Sequence, residues 1–68
     1  MSIKCTVVIQ QENGWYVATC LENSVASQGK TMDESLENLK EAIALYYEDN
    51  NEAMPDSPVF ITTLEVAV

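Results

Sequence analysis

The sequence predicts an α+β domain in which a small, mostly antiparallel sheet packs against one helix. Three observations predict it. A β-branched, alternating run precedes Asn13-Gly14 and a largely apolar run follows it, and Asn-Gly is the strongest short hairpin signal. One long stretch then carries apolar residues at spacings of three and four, the period of an amphipathic helix. A last alternating run closes the chain. The order is β-β-β-α-β, and the simplest architecture for it is a sheet with one helix on one face.

The first strand is expected over Ile3 to Gln11. Ile3, Cys5, Val7 and Ile9 alternate there with Lys4, Thr6, Val8 and Gln10, which is the strand period of two. Trp15 to Cys20 reads as the return strand, Leu21 to Ser24 as a loop, and Val25 to Gly29 as a short third strand. The helix runs from about Met32 to Asp49. Leu36, Leu39, Ala42, Ile43, Tyr46 and Tyr47 form its apolar face, and Asn50-Asn51 is a plausible stop, because asparagine tolerates the left-handed conformation. Pro55 and Pro58 break the loop that follows. In the final strand, Val59 to Val68, one side holds Phe60, Thr62, Leu64, Val66 and Val68; the other holds Ile61, Thr63, Glu65 and Ala67.

Gly29-Lys30-Thr31 ahead of a helix has the form of the end of a phosphate-binding loop. Such a loop also needs a glycine five residues before its second one, so that backbone N–H groups can wrap a phosphate. Ser24 stands there, and serine lacks glycine's freedom at positive φ. The same residues explain themselves better as a helix start. Thr31 and Glu34 form a capping box, in which Glu34 is expected to reach back to the Thr31 N–H. Asp33 and Glu34 suit the positive end of the helix dipole and would repel phosphate.

Composition narrows the function. The chain has 68 residues, enough for one small domain with a marginal core; chains this short often rely on disulfides, metal or oligomerisation. Eleven acids stand against three lysines, with no arginine or histidine, for a net charge of −8. That balance repels nucleic acid and anionic membranes and speeds encounter with basic partners, although acidity also serves solubility alone. Without histidine, His-based acid–base work and Ser-His or Cys-His nucleophile pairs are excluded. Two cysteines and no histidine make a poor zinc set. No cofactor and no metal site is expected. Cys5 and Cys20 lie on paired strands and are expected as reduced thiols, since the chain reads as cytoplasmic, with no signal peptide and no membrane span.

One helix covers one sheet face, yet the second strand is apolar on both, with Trp15 and Val17 on one side and Tyr16, Ala18 and Cys20 on the other. Val8 adds to the nominally polar side of the first strand. A homodimer or higher oligomer is therefore expected, with Val8, Trp15, Tyr16 and Val17 as candidate interface residues.

Gly14 to Ala18, Ser27 to Thr31, and Glu34 to Tyr47 together resemble the HicB-like antitoxin domain. That family shows a glycine followed by aromatics and Val-Ala, a Ser-Gln-Gly-x-Thr turn, and a helix of Glu-Ala-x-x-Asn-x-Lys-Glu-Ala type. The run from Ile61 to Val68 fits its closing strand, so the likeness covers nearly the whole chain. It implies a partial ribonuclease H-like β-β-β-α-β layer, with residues 1–68 as one such domain. It also implies a binding function: HicB-type proteins neutralise HicA, a small basic toxin that cleaves mRNA with a histidine. The partner-binding candidates are Glu22, Glu34, Glu37, Glu41 and Glu48.

Three departures qualify the resemblance. The loop Leu21 to Ala26 is shorter than the family's and lacks its prolines. The chain ends after the last strand, so the DNA-binding segment carried by many antitoxins is not expected, and no direct nucleic-acid contact is expected. The first strand has no acid to hold a catalytic metal, so nuclease activity is not carried over. The leading expectation is a stand-alone antitoxin, not an enzyme. The alternative is an orphan domain of the same fold acting as an oligomeric binding or scaffold module. A metal-dependent hydrolase using Glu65 is a distant third. A neighbouring gene for a small basic protein containing histidine favours the first; its absence favours the second.

Overall fold

The computed structural model describes residues 3–49 and 58–68. Among them, β1 (Val7–Glu12), β2 (Trp15–Cys20) and β3 (Ala26–Gly29) form an antiparallel sheet of order β1-β2-β3, followed by α1 (Met32–Asp49). The α+β class and the helix bounds are as expected. The expected helix stop at Asn50-Asn51 and the loop through Pro55 lie outside the described residues.

The β1–β2 turn has Asn13 at φ 50° and Gly14 at φ 81°, the double positive φ of a type I′ hairpin. It pairs Glu12 with Trp15 and Val7 with Cys20. The β2–β3 turn uses another device. Ser24 takes φ 63°, in the left-handed region that serine enters less freely than glycine. Its N–H donates to the Cys20 carbonyl (2.8 Å), and Cys20 N–H donates to the Val25 carbonyl (2.8 Å). The Asn23 side chain accepts from the Val25 N–H at 3.0 Å, so local hydrogen bonds offset the cost of a left-handed serine.

Register decides which face the helix covers. Val7, Ile9, Ala18 and Cys20 share one side of the sheet, and Ala18, Cys20, Leu39 and Ile43 make the buried core between that side and α1. The helix is seated off centre, lying mainly over β3 and β2. A Cβ added to Gly29 would stand 2.6 Å from the Ser35 nitrogen and 2.8 Å from the Glu34 Cβ, so the first turn of α1 rests directly on the end of β3. Asn38 then donates its side-chain N–H to the Gln28 carbonyl of β3 at 2.8 Å.

The cap of α1 differs in one detail from expectation. Glu34 N–H donates to Thr31 Oγ1 at 3.1 Å, but the Glu34 carboxylate accepts from Lys30 N–H (3.1 Å), one residue earlier than Thr31. Ser35, fully buried, donates its hydroxyl to the Met32 carbonyl at 2.7 Å.

The expected final strand is the main difference. Residues 58–68 have no regular structure and no ladder partner here, and all of them are exposed. An extended segment becomes a strand only when a neighbour takes its backbone hydrogen bonds, and none does among the described residues.

Gly29→Ala is expected to cost about 1–3 kcal/mol, because the obstructing atoms are backbone atoms of Glu34 and Ser35 and the Glu34 Cβ fixed to them, which cannot swing aside. A urea titration reads the cost as a lower midpoint at unchanged slope; an unchanged midpoint would mean that α1 does not depend on this seat.

Candidate functional site

Four of the five acids named from the sequence lie on one stripe. At about 100° per residue, Glu34, Glu37, Glu41 and Glu48 fall within an arc of about 60° on α1. All four are exposed. Glu34 also serves the cap, so Glu37, Glu41 and Glu48 are the acids whose carboxylates carry no such structural bond here. This acidic stripe, interrupted between Glu41 and Glu48 by the exposed Ala44 and Leu45, presents a directional field to a basic surface.

Glu22 is elsewhere and does different work. Its carboxylate accepts from Thr6 N–H (2.7 Å) and from the Thr6 hydroxyl (2.6 Å). The Cys20 thiol donates to it as well, at 3.5 Å. Just beyond this clamp, Leu21 N–H donates to the Thr6 carbonyl at 2.9 Å. Glu22 thus extends the β1–β2 ladder past its last regular pair. The Thr6 hydroxyl and amide hold its pKa down at about 2 from an ordinary 4.5.

The four interface residues named from the sequence divide between two faces. Val8, Trp15 and Val17 share the sheet face away from α1, where each is half-buried. Lys30 lies over the Trp15 ring, 4.0 Å from its centroid, which gives the lysine of the phosphate-loop lookalike a cation–π role. Tyr16 belongs to the opposite face: it pairs with Gln11 and Gly29 on the helix side. It cannot join the other three in one flat contact.

A groove that the sequence did not reveal lies beside β1. It holds about 520 Å³ between the sheet and the near flank of α1. Ile3, Cys5 and Val7 form its floor; Leu36, Ile43 and Tyr47 form its helical wall. Alternation did place Ile3, Cys5 and Val7 on one face. What the sequence lacked was the off-centre seat of α1, which leaves that face uncovered at β1.

Cys5 and Cys20 are both unbridged. Burial, then a hydrogen bond and charge repulsion from Cys20 and Glu22, push the Cys5 thiol up to about 11. At neutral pH it is protonated and a poor nucleophile. Among the described residues no cluster of three or more acids or cysteines is placed to hold a metal ion. Nor is any described helix long and apolar enough to cross a membrane.

A family model, that of a family of unknown function (DUF7387), matches residues 4–66, and the chain belongs to that family. A relative described as "UPF0150 protein", from Helicobacter pylori (strain J99), is 42% identical over 43 residues, which is 63% of this chain and 60% of the relative. The chain thus spans about 60% of the length of the curated relative it matches. No solved structure matches.

Two outcomes test this geometry. The lowered Glu22 pKa means that its bonds contribute in full above about pH 4.5 and fade as the pH falls toward about 2. Glu22→Gln should therefore be less stable than the parent at pH 6, and the gap should close on acidification through that window. Parallel stability curves for the two proteins would show that Glu22 does not clamp Thr6 in solution. For the thiol, alkylation of Cys5 by iodoacetamide should be slow at pH 8 and accelerate as the pH approaches 11; rapid modification at pH 8 would contradict a protonated Cys5.

Proposed function

We propose that this member of the DUF7387 family is an antitoxin that binds and neutralises a small, basic, HicA-like mRNA-cleaving protein. The observation that carries the reading is the exposed acidic stripe of α1 on a chain of net charge −8. A protein that cleaves RNA must present a basic surface to phosphate. An acidic helix of fixed geometry competes for that surface, steering the encounter and occupying the positions that phosphates would take. The motif resemblance to HicB-like antitoxins supports the same reading. In it the chain performs no chemistry, carries no cofactor and makes no direct contact with nucleic acid; its place is the cytoplasm, beside mRNA.

One observation favours the second reading, an oligomeric module without a toxin. Large apolar side chains stand in solvent on residues 58–68, with Phe60 and Leu64 exposed by 87% and 85%. Self-assembly explains these residues, and the acidic stripe does not.

The test uses a small basic, histidine-containing protein encoded beside this one. The pair should form a stoichiometric complex that stops RNA cleavage. Its association rate should fall by about 10-fold or more as salt rises from about 50 to about 500 mM. Glu37→Lys with Glu41→Lys should slow association by a similar factor while leaving the helix folded. A complex whose on-rate ignores both salt and the double substitution does not use the stripe. No complex at all would overturn the antitoxin reading.

A further inference from the structure

We propose that residues 59–68 form a fourth strand on a second copy of this chain, running along its β1 edge and filling the groove between β1 and α1, so that two copies exchange strands reciprocally. This does not rest on the antitoxin reading; it follows from two incomplete features of one chain that fit each other.

The first feature is the edge. The two-residue turn makes Glu12 and Trp15 a hydrogen-bonded pair, so every second residue back along β1 also turns its backbone toward β2. Thr6 continues that series, with its N–H taken by Glu22 and its carbonyl by Leu21. The backbone groups of Val7 and Ile9 therefore point to the other side, where no strand lies among the described residues. Their side chains point toward the groove side of the sheet. An edge with aligned hydrogen-bonding groups above an apolar floor is a template for strand addition. The opposite edge is guarded: the Asn38 amide engages the Gln28 carbonyl of β3.

The second feature is the segment. Phe60, Leu64, Val66 and Val68 share one side of an extended chain, and all four are strongly exposed. A strand over 59–68 has the same length as the stretch from Ile3 to Glu12. With Phe60, Leu64 and Val66 turned into the groove, Glu65 falls on the opposite side. That is the side of Lys4, which alternation places away from the groove residues Ile3 and Cys5, so the one acid in the segment meets a lysine.

The fit points to a second copy. The segment lies outside the groove of its own chain, and the molecule extends 44 × 30 × 15 Å with a radius of gyration of 13.7 Å. A compact body of this length would have a radius near 11 Å. Pro58 opens the segment, and its fixed φ suits the extended backbone that follows.

The experiment uses the natural thiol on the groove floor. In a Cys20→Ala background, Phe60→Cys, Leu64→Cys and Val66→Cys are each oxidised with copper phenanthroline at micromolar concentration and analysed by mass spectrometry. The expected product from at least one is a Cys5-linked species of twice the 7.5 kDa chain mass, reversed by reductant. A Cys5 bridge within one chain, seen as a monomer lighter by about 2 Da (two hydrogens lost), would place the strand in its own groove and overturn the exchange. No Cys5 bridge from any of the three would overturn it too. Independently, sedimentation equilibrium should give a dimer for the unmodified chain and a monomer for Phe60→Asp with Leu64→Asp. The substituted residues are exposed and lie outside the β1–β3 sheet and α1, so the helical signal in circular dichroism should persist while the strand contribution of 59–68 is lost. A dimer that survives both aspartates would assign self-association to another surface, such as the face of Val8, Trp15 and Val17.

Discussion

The rest of the structure depends on the close approach of α1 to the end of β3, which is possible because position 29 has no side chain. Gly29 lets the Glu34–Ser35 backbone come within the reach of a missing Cβ, and Asn38 fixes the next turn to the Gln28 carbonyl. Two contacts one turn apart set both position and rotation of a rigid helix. Rotation puts Leu39 and Ile43 into the sheet and turns Glu37, Glu41 and Glu48 to solvent. Position puts the helix over β3 and β2, so β1 keeps an uncovered flank. The acidic stripe and the apolar groove are two consequences of one seat.

The seat also limits how much core the chain can build. Leu39 is 2% exposed, and Ala18, Cys20 and Ile43 are the other buried apolar residues among those described. So short a domain buries a small share of its surface and sits close to marginal stability. The side chains that would enlarge this core stand in solvent on 58–68. A fourth strand against β1 would continue the layer under the free flank of α1, and Leu36 and Tyr47 would gain a floor that β1 alone does not provide. The clamp of Glu22 on Thr6 gains a second meaning here: it keeps the start of β1 straight and in register, where an incoming strand needs regular backbone groups.

Much of this was legible in the sequence, for identifiable reasons. The hairpin at Asn13-Gly14, the limits of α1 and the face assignment of β1 and β2 follow from backbone sterics and periodicity, which act within a few residues. The stripe of Glu34, Glu37, Glu41 and Glu48 was legible for the same reason. The bonds of Glu22 were not: the sequence placed it only as a loop acid, and its carboxylate accepts from Thr6, sixteen residues away in sequence. Tyr16 was grouped with Trp15 for interface chemistry, although alternation separates them. Ser24 takes a positive φ because Asn23 and the Cys20 carbonyl stabilise the turn around it. The groove required knowing where the helix sits, and that depends on the space at Gly29. The last strand was legible as a pattern only; its partner is not encoded in its own residues.

The two surfaces can act together because they lie on different flanks of α1. The groove wall follows the side of the helix nearest β1, where Leu36 and Ile43 lie about 100° or more of arc from the acids, and Lys40 and Ala44 form the rim between the two flanks. A strand from a second copy would cover the first flank and leave the second open. Exchange would then place two acidic stripes on one particle, doubling the local negative charge that a basic partner meets. It would also hide the apolar residues that would otherwise compete for any passing hydrophobic surface. Self-association and toxin binding are therefore not rival uses of one site. In this arrangement the apolar residues specify the assembly, and the carboxylates specify what the assembly attracts.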